Sequence, residues 1–503
     1  MRRFVWLLPP VGFAIVAAAV AWISYSHEQP PPTVSKETTY FTSPLTDDGY
    51  VNYVAAIEQL TQTKSIQRDE EPVWSLGLIA APDSSGGGTL LEPPEFLLAE
   101  VNDVFATARN IYAELQLAPL PLVPNEVERW SKMMEAYQPW FESLRKAADQ
   151  PWSLPQAGAS PLQNYYRSDH DYRFTQILGC RIQWFAGQRA TDEAFDEIDV
   201  LRKLADGHPK HPEPMVDRVS LTMETAACLH AAVVMLHCRD VRPEFERWVD
   251  ALPASPDLAA VRAHFNLFQR LSELGAVQAA ALSLRPEIST GSWQRIATTV
   301  QRRWKFVPMD VDWLLTELND QFDQLSDDLF HHEDWPACRA ALDRAWASRP
   351  IKFRQPGETW RDWGFNRYQD YYIAESYITG LGNRARPLLR SHFRLVAAYR
   401  MVRVSLALHR WRLQHETFPR SLRELVDNGF IDERWLEDPF CPGQDFRYEL
   451  TERYGRLYTV GPNQEDDLGI PTHKDVPASL LPNGERPGTG RYPDDWPGII
   501  WRR

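Results

Sequence analysis

The sequence predicts a mainly α-helical protein with an amino-terminal transmembrane helix, a body of antiparallel helices stacked as a solenoid, and a small carboxy-terminal α+β module with a β-hairpin. Three observations predict this fold class. An uncharged apolar stretch opens the chain, apolar residues then recur every three or four positions, and they alternate with polar ones at 446–450. The predicted parts are a membrane anchor (1–27), a Pro-rich spacer (28–43), a helical body (44–387), the module (388–470) and a Pro/Gly-rich tail (471–503).

Composition limits the classes of function. The chain has 503 residues, of which 44% are hydrophobic and 12% aromatic, so it can bury a large core and is not disordered. Its formal net charge is −14 at pH 7, and Lys and Arg are not concentrated in any part of the chain. Because binding to phosphate backbones needs clustered positive charge, we do not expect a nucleic-acid partner.

The first element is the anchor. Phe4 to Ser24 carries no charge and is about as long as the ~20 residues that cross a bilayer as a helix. Arg2 and Arg3 precede it, and positive charge on the short side keeps the amino terminus in the cytoplasm. The lipid bilayer is therefore a predicted partner, and residues after about His27 are expected outside the cytoplasm. The alternative is a cleaved export signal, because residues 19–21 have the small-x-small form of a cleavage site.

The body follows a spacer that contains three consecutive prolines at 30–32. Helical periodicity covers the following segments: Thr46–Leu60, Pro94–Leu117, Asn125–Ala148, Tyr172–Gly187, Asp192–Ala205, Pro214–Cys238, Leu258–Leu284 and Arg339–Arg349. Loops rich in Pro and Gly separate them, which predicts a stack of antiparallel helix pairs similar to a TPR array. A constant repeat length cannot be counted, so a true repeat is not established.

Five cysteines occur in the chain, at 180, 228, 238, 338 and 441. Cys228 and Cys238 are predicted to share one helix, where a rise of 1.5 Å per residue separates them by about 15 Å, too far for a disulfide. We therefore interpret the cysteines as small buried apolar residues.

The module begins with a predicted helix whose buried stripe contains Leu395, Ala398, Val402, Ser405, Leu406 and Leu413. Pro419 ends this helix, and a short one is predicted over Leu422–Asn428, with Ser421 and Glu424 as a capping box and Gly429 as its stop. A half-buried strand follows, in which Phe446, Tyr448 and Leu450 point to one side.

The order of short motifs in this module carries a resemblance to a known family. Phe418-Pro419, Asp438-Pro439-Phe440, the Tyr-bearing hairpin and Val460-Gly461-Pro462-Asn463 occur in sequence. The module resembles the globular part of type II secretion major pseudopilins, and the same module at the end of uncharacterised bacterial membrane-anchored helical proteins. The resemblance implies a small α+β shape and a place in the bacterial cell (inner) membrane, single-pass. In the pseudopilins the corresponding loop binds calcium, which implies Asp466 and Asp467 as ligands here. The alternative is a solvated acidic turn, and no other cofactor is expected.

The tail ends in the apolar triplet Ile499-Ile500-Trp501. A two-stranded hairpin is marginal in water, and an apolar triplet on a free tail would be exposed. We therefore predict that Ile499–Trp501 forms a third, edge strand above the helix that contains Leu406. The alternative is a disordered tail.

Aromatic residues crowd the segment Phe353–Tyr377, interleaved with charged ones. Aromatic faces beside hydrogen-bonding groups bind sugars or extended peptides, so Trp360, Trp363, Tyr368 and Tyr371 are the candidate ligand-binding residues. Core packing is the alternative and is the more frequent role of such residues.

Two other clusters of polar residues are interpreted structurally. Asp310–Asp334 is acidic and contains His331 and His332, which can bind a divalent cation; a solvated helix face is favoured because the spacing of a metal-binding helix is missing. His208 and His211 are interpreted as turn residues.

The sequence contains no nucleophile elbow, phosphate loop or zinc-protease helix, and we assign no catalytic residues. An extracytoplasmic scaffold that binds a protein or a cell-wall polymer is the leading hypothesis. One alternative is an envelope hydrolase that acts on glycan or peptide with Glu358, Asp362 or Asp370 as acids. The other is an accessory component of a type II secretion-like system.

Overall fold

The computed structural model describes residues 32–59 and 131–149 in part, 178–206 except 180, 218–283, 311–347, 360–464 except 453 and 463, and 499–502. Side chains are described for most of these residues, but not for 360–384. The helices are α1 (Lys36–Thr39), α2 (Thr191–Asp206), α3 (Arg218–His237), α4 (Pro243–Ala251), α5 (Leu258–His264), α6 (Arg270–Ser283), α7 (Val311–Leu329), α8 (Trp335–Ala347), α9 (Trp360–His415) and α10 (Arg423–Asp427). A π-helical turn, Phe265–Gln269, joins α5 to α6, and the strands are β1 (Arg447–Leu450), β2 (Tyr454–Tyr458) and β3 (Ile499–Arg502).

The mainly helical class with a small antiparallel sheet is confirmed. Within the described ranges, helices form where periodicity predicts them at 192–205, 214–238, 258–284 and 339–349, while α4 was not predicted. The segment Phe4–Ser24 lies outside these ranges. Across the part of the chain that is described, a helix both long and apolar enough to cross a bilayer is not found.

The body is organised around α9, which has 56 residues and is about 84 Å long at 1.5 Å per residue. Its main partner is α3, whose apolar residues lie on almost every side of the helix. Tyr399 contacts Glu224 near the start of α3, and Arg412 contacts the carbonyl of Leu236 at its end. Since contacts advance in the same direction along both helices, α3 and α9 run parallel.

The neighbouring pair, α2 and α3, is antiparallel as the sequence predicts. The thiol of Cys238, just after α3, lies 3.2 Å from the hydroxyl of Thr191 at the start of α2. Cys228, Cys238 and Cys338 are buried and unbridged, and Cys441 is half-buried and also free. The expected role of small buried residues is therefore confirmed for three of the cysteines.

The predicted stripe on α9 is buried except at one position. Leu395, Ala398, Val402, Ser405 and Leu406 are all at most 1% exposed, whereas Leu413 is 53% exposed. The prediction for Leu413 is wrong because the last turn of α9, residues 413–415, is exposed beyond the packed core.

One continuous core joins the module to the body. Trp335 of α8 lies between Phe393 of α9 and Phe440 of the module, at ring-centroid distances of 6.0 and 6.1 Å. Its indole N–H donates to the carbonyl of Pro462 at 2.8 Å. The predicted boundary between 387 and 388 falls inside α9, so a single helix belongs to both parts.

The sheet has the order β1-β2-β3, and all of its strands are antiparallel. The predicted third strand is present: Leu457 pairs with Ile499 and Gly455 with Trp501. Its predicted position needs correction, since β3 packs chiefly against α3 and not against the stretch of α9 around Leu406. The parallel α3–α9 pair explains this, because it places α3 beside α9 beneath the sheet.

Two local predictions in the module have different outcomes. The short helix is present as α10, and Gly429 stops it with φ +73°. The capping box does not form, because Leu422 occupies the N-cap position without a side-chain cap. The Glu424 carboxylate instead accepts from the backbone N–H of Arg420 at 3.2 Å.

The described part of the predicted spacer, residues 32–43, is packed against the body. It contains α1, in which Thr38 and Thr39 are buried, and α1 lies against α7. Polar side chains of α7 bind the main chain here, which favours a packed segment over an extended linker.

Candidate functional site

The four candidate ligand-binding residues lie on one continuous helix. Trp360, Trp363, Tyr368 and Tyr371 belong to the first half of α9, where the backbone is helical. At about 100° per residue their Cα atoms fall within an arc of about 140°, along about 16 Å of the helix axis. The fold therefore gathers the predicted residues on one side of α9; Asp362 and Asp370 are in the same half, and Glu358 lies outside the described residues.

The core holds the second half of α9 firmly. Leu388, Leu389 and Phe393 are at most 3% exposed, and the Arg386 guanidinium lies 2.9 Å from the Asp343 carboxylate of α8. Pro387 lies within the helix and lacks an N–H, yet α9 continues through it. The aromatic half is thus in a fixed register with the core.

Arginines of α9 bind the carboxy-terminal ends of neighbouring helices. Arg412 donates to the carbonyls of Leu236 and Cys238 at the end of α3. Arg403 donates to the carbonyls of Asp250 and Leu252 at the end of α4, at 2.6 and 2.7 Å. These carbonyls have no partner within their own helices and carry the negative end of the helix dipole, so each arginine stabilises a helix end and fixes α9 to it.

A buried polar pair between α3 and α9 was not predicted. The Tyr399 hydroxyl donates to the Glu224 carboxylate. Burial raises the pKa of Glu224, although the hydrogen bond from Tyr399 opposes this, and burial also raises the pKa of the nearby Cys228 thiol. The feature of the sequence that could have indicated this pair is a lone glutamate within the apolar run of α3. The pair holds α3 and α9 in register.

A second buried cluster joins α2 to residues 141, 145 and 181. The Glu197 carboxylate is fully buried and accepts from Arg145 and Arg181, with Arg181 Nε at 2.7 Å. The Arg181 guanidinium lies 4.0 Å from the ring centroid of Phe141. Burial lowers the pKa of Arg181, and the charge of Glu197 opposes this. Paired and enclosed in this way, the cluster fixes helix packing.

A buried carboxylate connects two of the motifs that carry the family resemblance. Asp438 accepts from the backbone N–H groups of Phe440 and Val460 at 2.9 and 3.0 Å, and from the Thr459 hydroxyl at 2.6 Å. Burial raises the pKa of Asp438, and these hydrogen bonds oppose the rise. The Asp-Pro-Phe turn and the Val-Gly-Pro-Asn turn are thereby fixed to each other.

The candidate metal ligands are placed differently by the structure. Asp466 and Asp467 lie outside the described residues, as do His208 and His211. The rings of His331 and His332 lie 4.0 Å apart between centroids and are tilted by 40°, and His331 Nδ1 forms a hydrogen bond with the carbonyl of Asp327. Among the described residues, no group of three or more His, Cys, Asp or Glu side chains is arranged to hold a metal ion.

No protein-family model, no curated protein and no solved structure matches this sequence.

Proposed function

We propose that this protein is a single-pass membrane-anchored scaffold of the bacterial cell envelope, held in the inner membrane by Phe4–Ser24 with its amino terminus in the cytoplasm. Its extracytoplasmic helical body binds a protein or a cell-wall polymer. The observation that carries this proposal is the continuity of α9, which links the four candidate aromatic residues to the buried core.

The proposed binding surface consists of Trp360, Trp363, Tyr368 and Tyr371. Flat aromatic rings bury large areas of sugar rings or of peptide backbones, and hydrogen-bonding groups beside them give orientation. Because α9 is fixed to α3, α4 and α8, a partner bound to its first half is held in a defined position relative to the whole body. This is the property that a scaffold requires, and a solenoid-like stack of helices would extend the surface.

The test is affinity capture from a detergent-solubilised envelope fraction with the full-length protein. Combined Trp360→Ala and Tyr371→Ala changes remove two rings near the centre of the arc. The matched control combines Phe365→Ala and Tyr377→Ala, whose Cα positions fall outside the arc. We expect at least a tenfold loss of the captured protein or polymer in the first variant and little loss in the control, since an aromatic anchor contributes about 2 kcal/mol or more. Capture of no envelope component, or equal loss in both variants, would refute the scaffold proposal.

The geometry of the module favours a second candidate, an accessory component of a type II secretion-like system. Its support is that Asp438 joins the two turns on which the pseudopilin resemblance depends. In this proposal Asp466 and Asp467 bind calcium through hard oxygen ligands. Calcium should then raise the melting temperature of the wild type but not of an Asp466→Asn, Asp467→Asn variant; an identical response in both would refute calcium binding at these residues.

A further inference from the structure

Residues 33–41, here called the strap, are bound along α7 by polar contacts. The backbone N–H and the hydroxyl of Thr33 both donate to the Asp312 carboxylate, at 2.7 and 2.6 Å. The side-chain amide of Asn319 donates to two successive carbonyls, those of Glu37 and Thr38, at 2.9 Å each. These contacts join residues about 280 positions apart in the sequence. They define one position of the strap on the body.

The carboxy-terminal end of the strap is also bound to the body. The Tyr53 hydroxyl donates to the carbonyl of Thr39 at 3.0 Å and lies 3.4 Å from the amide nitrogen of Gln278 on α6. The guanidinium of Arg270 lies over the ring of Tyr40, 4.4 Å from its centroid. Tyr53 and Thr39 are at most 5% exposed, so the strap is part of the core packing.

We infer that the strap fixes the helical body close to the bilayer, with the amino-terminal end of α7 as its membrane-proximal part. The inference rests on the proposed anchor. Eight residues separate Ser24 from Thr33, and an extended chain spans at most about 3.6 Å per residue. Asp312, which holds Thr33, therefore lies within about 30 Å of the hydrocarbon core.

Release of the strap would increase the maximum distance between Asp312 and the hydrocarbon core. The nine residues of the strap would add about 30 Å of reach to the tether. With the strap bound, the amino-terminal end of α7 stays within about 30 Å of the bilayer, and a partner on α9 is kept near the membrane by the same contacts.

The first experiment measures hydrogen exchange of the strap in full-length protein reconstituted into phosphatidylcholine vesicles. Asp312→Ala removes the carboxylate that binds Thr33 without disturbing the core, and Asn319→Ala removes the amide. Gln321→Ala is the matched control, because its amide bonds Glu317 within α7. We expect slow exchange over 33–41 in the wild type and the control, and exchange roughly five- to tenfold faster in Asp312→Ala. Exchange in the wild type at the rate of a free peptide would overturn the inference.

The second experiment measures distance from the membrane. Asp320 is exposed and lies two turns along α7 from Asp312, so a dye on Asp320→Cys reports the position of this helix; protein without the added cysteine measures labelling of native thiols. We expect efficient energy transfer to a lipid-borne acceptor, and a clear fall when Asp312→Ala and Asn319→Ala are added together, since both sets of α7 contacts with the strap are then removed. A protein that leaves the vesicles in a salt wash refutes the anchor and the inference together. A protein that stays but shows no transfer, or transfer that the double change leaves unchanged, refutes the inference alone.

Discussion

The contact between Gly455 and Trp501 gives the sharpest test of the carboxy-terminal sheet. The two residues pair across β2 and β3, and the fully buried indole of Trp501 covers Gly455. A Cβ atom at position 455 would lie 2.2 Å from Cζ2 of Trp501, whereas ordinary carbon contacts are about 3.5–4.0 Å. Gly455→Ala therefore requires the ring, which lies beside Phe418 and Tyr448, to move by more than about 1 Å.

The expected free-energy cost of Gly455→Ala follows from this displacement of the indole. Overpacking of a buried site costs about 1–3 kcal/mol, and Trp501→Ala alone should cost about 3–5 kcal/mol. The three atoms nearest to the added methyl group all belong to the indole, so its removal takes away the closest contacts. We therefore expect Gly455→Ala to cost almost nothing in the Trp501→Ala background, which gives a coupling energy of about 1–3 kcal/mol.

The assay is urea unfolding of the four proteins of this cycle, followed by circular dichroism, with protease cleavage of the hairpin as a local measurement. Gly443→Ala is the control, because Gly443 has φ +78° and open space around its Cα. Its cost, about 1–2 kcal/mol from the left-handed backbone alone, should be the same with and without Trp501. Equal costs of Gly455→Ala in both backgrounds would refute the reasoning.

Four further outcomes are expected from the buried polar groups and from the tail. Burial lowers the pKa of His230, His392 and His409 to about 4 each. Because the unfolded chain binds these protons near pH 6.5, the free energy of unfolding should be intact above that pH and should fall by roughly 3 kcal/mol per histidine toward pH 4. A urea-unfolding stability that does not change over this pH range would contradict this. Asp438→Asn should destabilise the module by about 2–4 kcal/mol in urea unfolding, since an amide supplies one acceptor oxygen where a carboxylate supplies two; an unchanged midpoint would show that the turns are joined by other contacts. Arg412→Met leaves two helix-end carbonyls without their donor and should lower the free energy of unfolding by about 1–3 kcal/mol, while the exposed Arg420→Met should have almost no effect. Deleting 496–503 should lower the melting temperature and expose the hairpin to protease, and a truncated protein as resistant as the full chain would contradict the role of β3.

Three features of the module could be predicted from the sequence: the hairpin, the third strand and the stop at Gly429. Each depends on residues close in sequence or on the apolar character of a short segment. Alternation at 446–450 sets the faces of β1, and an apolar triplet needs a partner whatever the rest of the fold is. The parallel α3–α9 pair could not be predicted. Because α3 is apolar on almost every side, periodicity does not specify which neighbour it selects or in which direction that neighbour runs.

The arrangement of the candidate aromatic residues also could not be predicted from periodicity. Aromatic residues occur at nearly every second or third position between 360 and 377, which hides the helical period. Their chemistry identifies Trp360, Trp363, Tyr368 and Tyr371, while their arrangement on one side of a helix follows only from the backbone of α9. The packing of the strap could not be predicted for a related reason. Asn319 binds main-chain carbonyls, and because every residue has one, the sequence does not indicate which of them Asn319 binds.

The small sheet depends on the body for its stability. A three-stranded sheet of four- and five-residue strands buries too little surface to be stable unless one face is covered. Here the cover comes from α3, and the turn after β2 is held by Trp335 of α8 through the carbonyl of Pro462. Both helices belong to the body, and α8 ends about forty residues before the module begins, so the sheet is stable only when the body is folded. The position of the module, and with it any partner the module meets, is therefore set by the helices to which the sheet is bound.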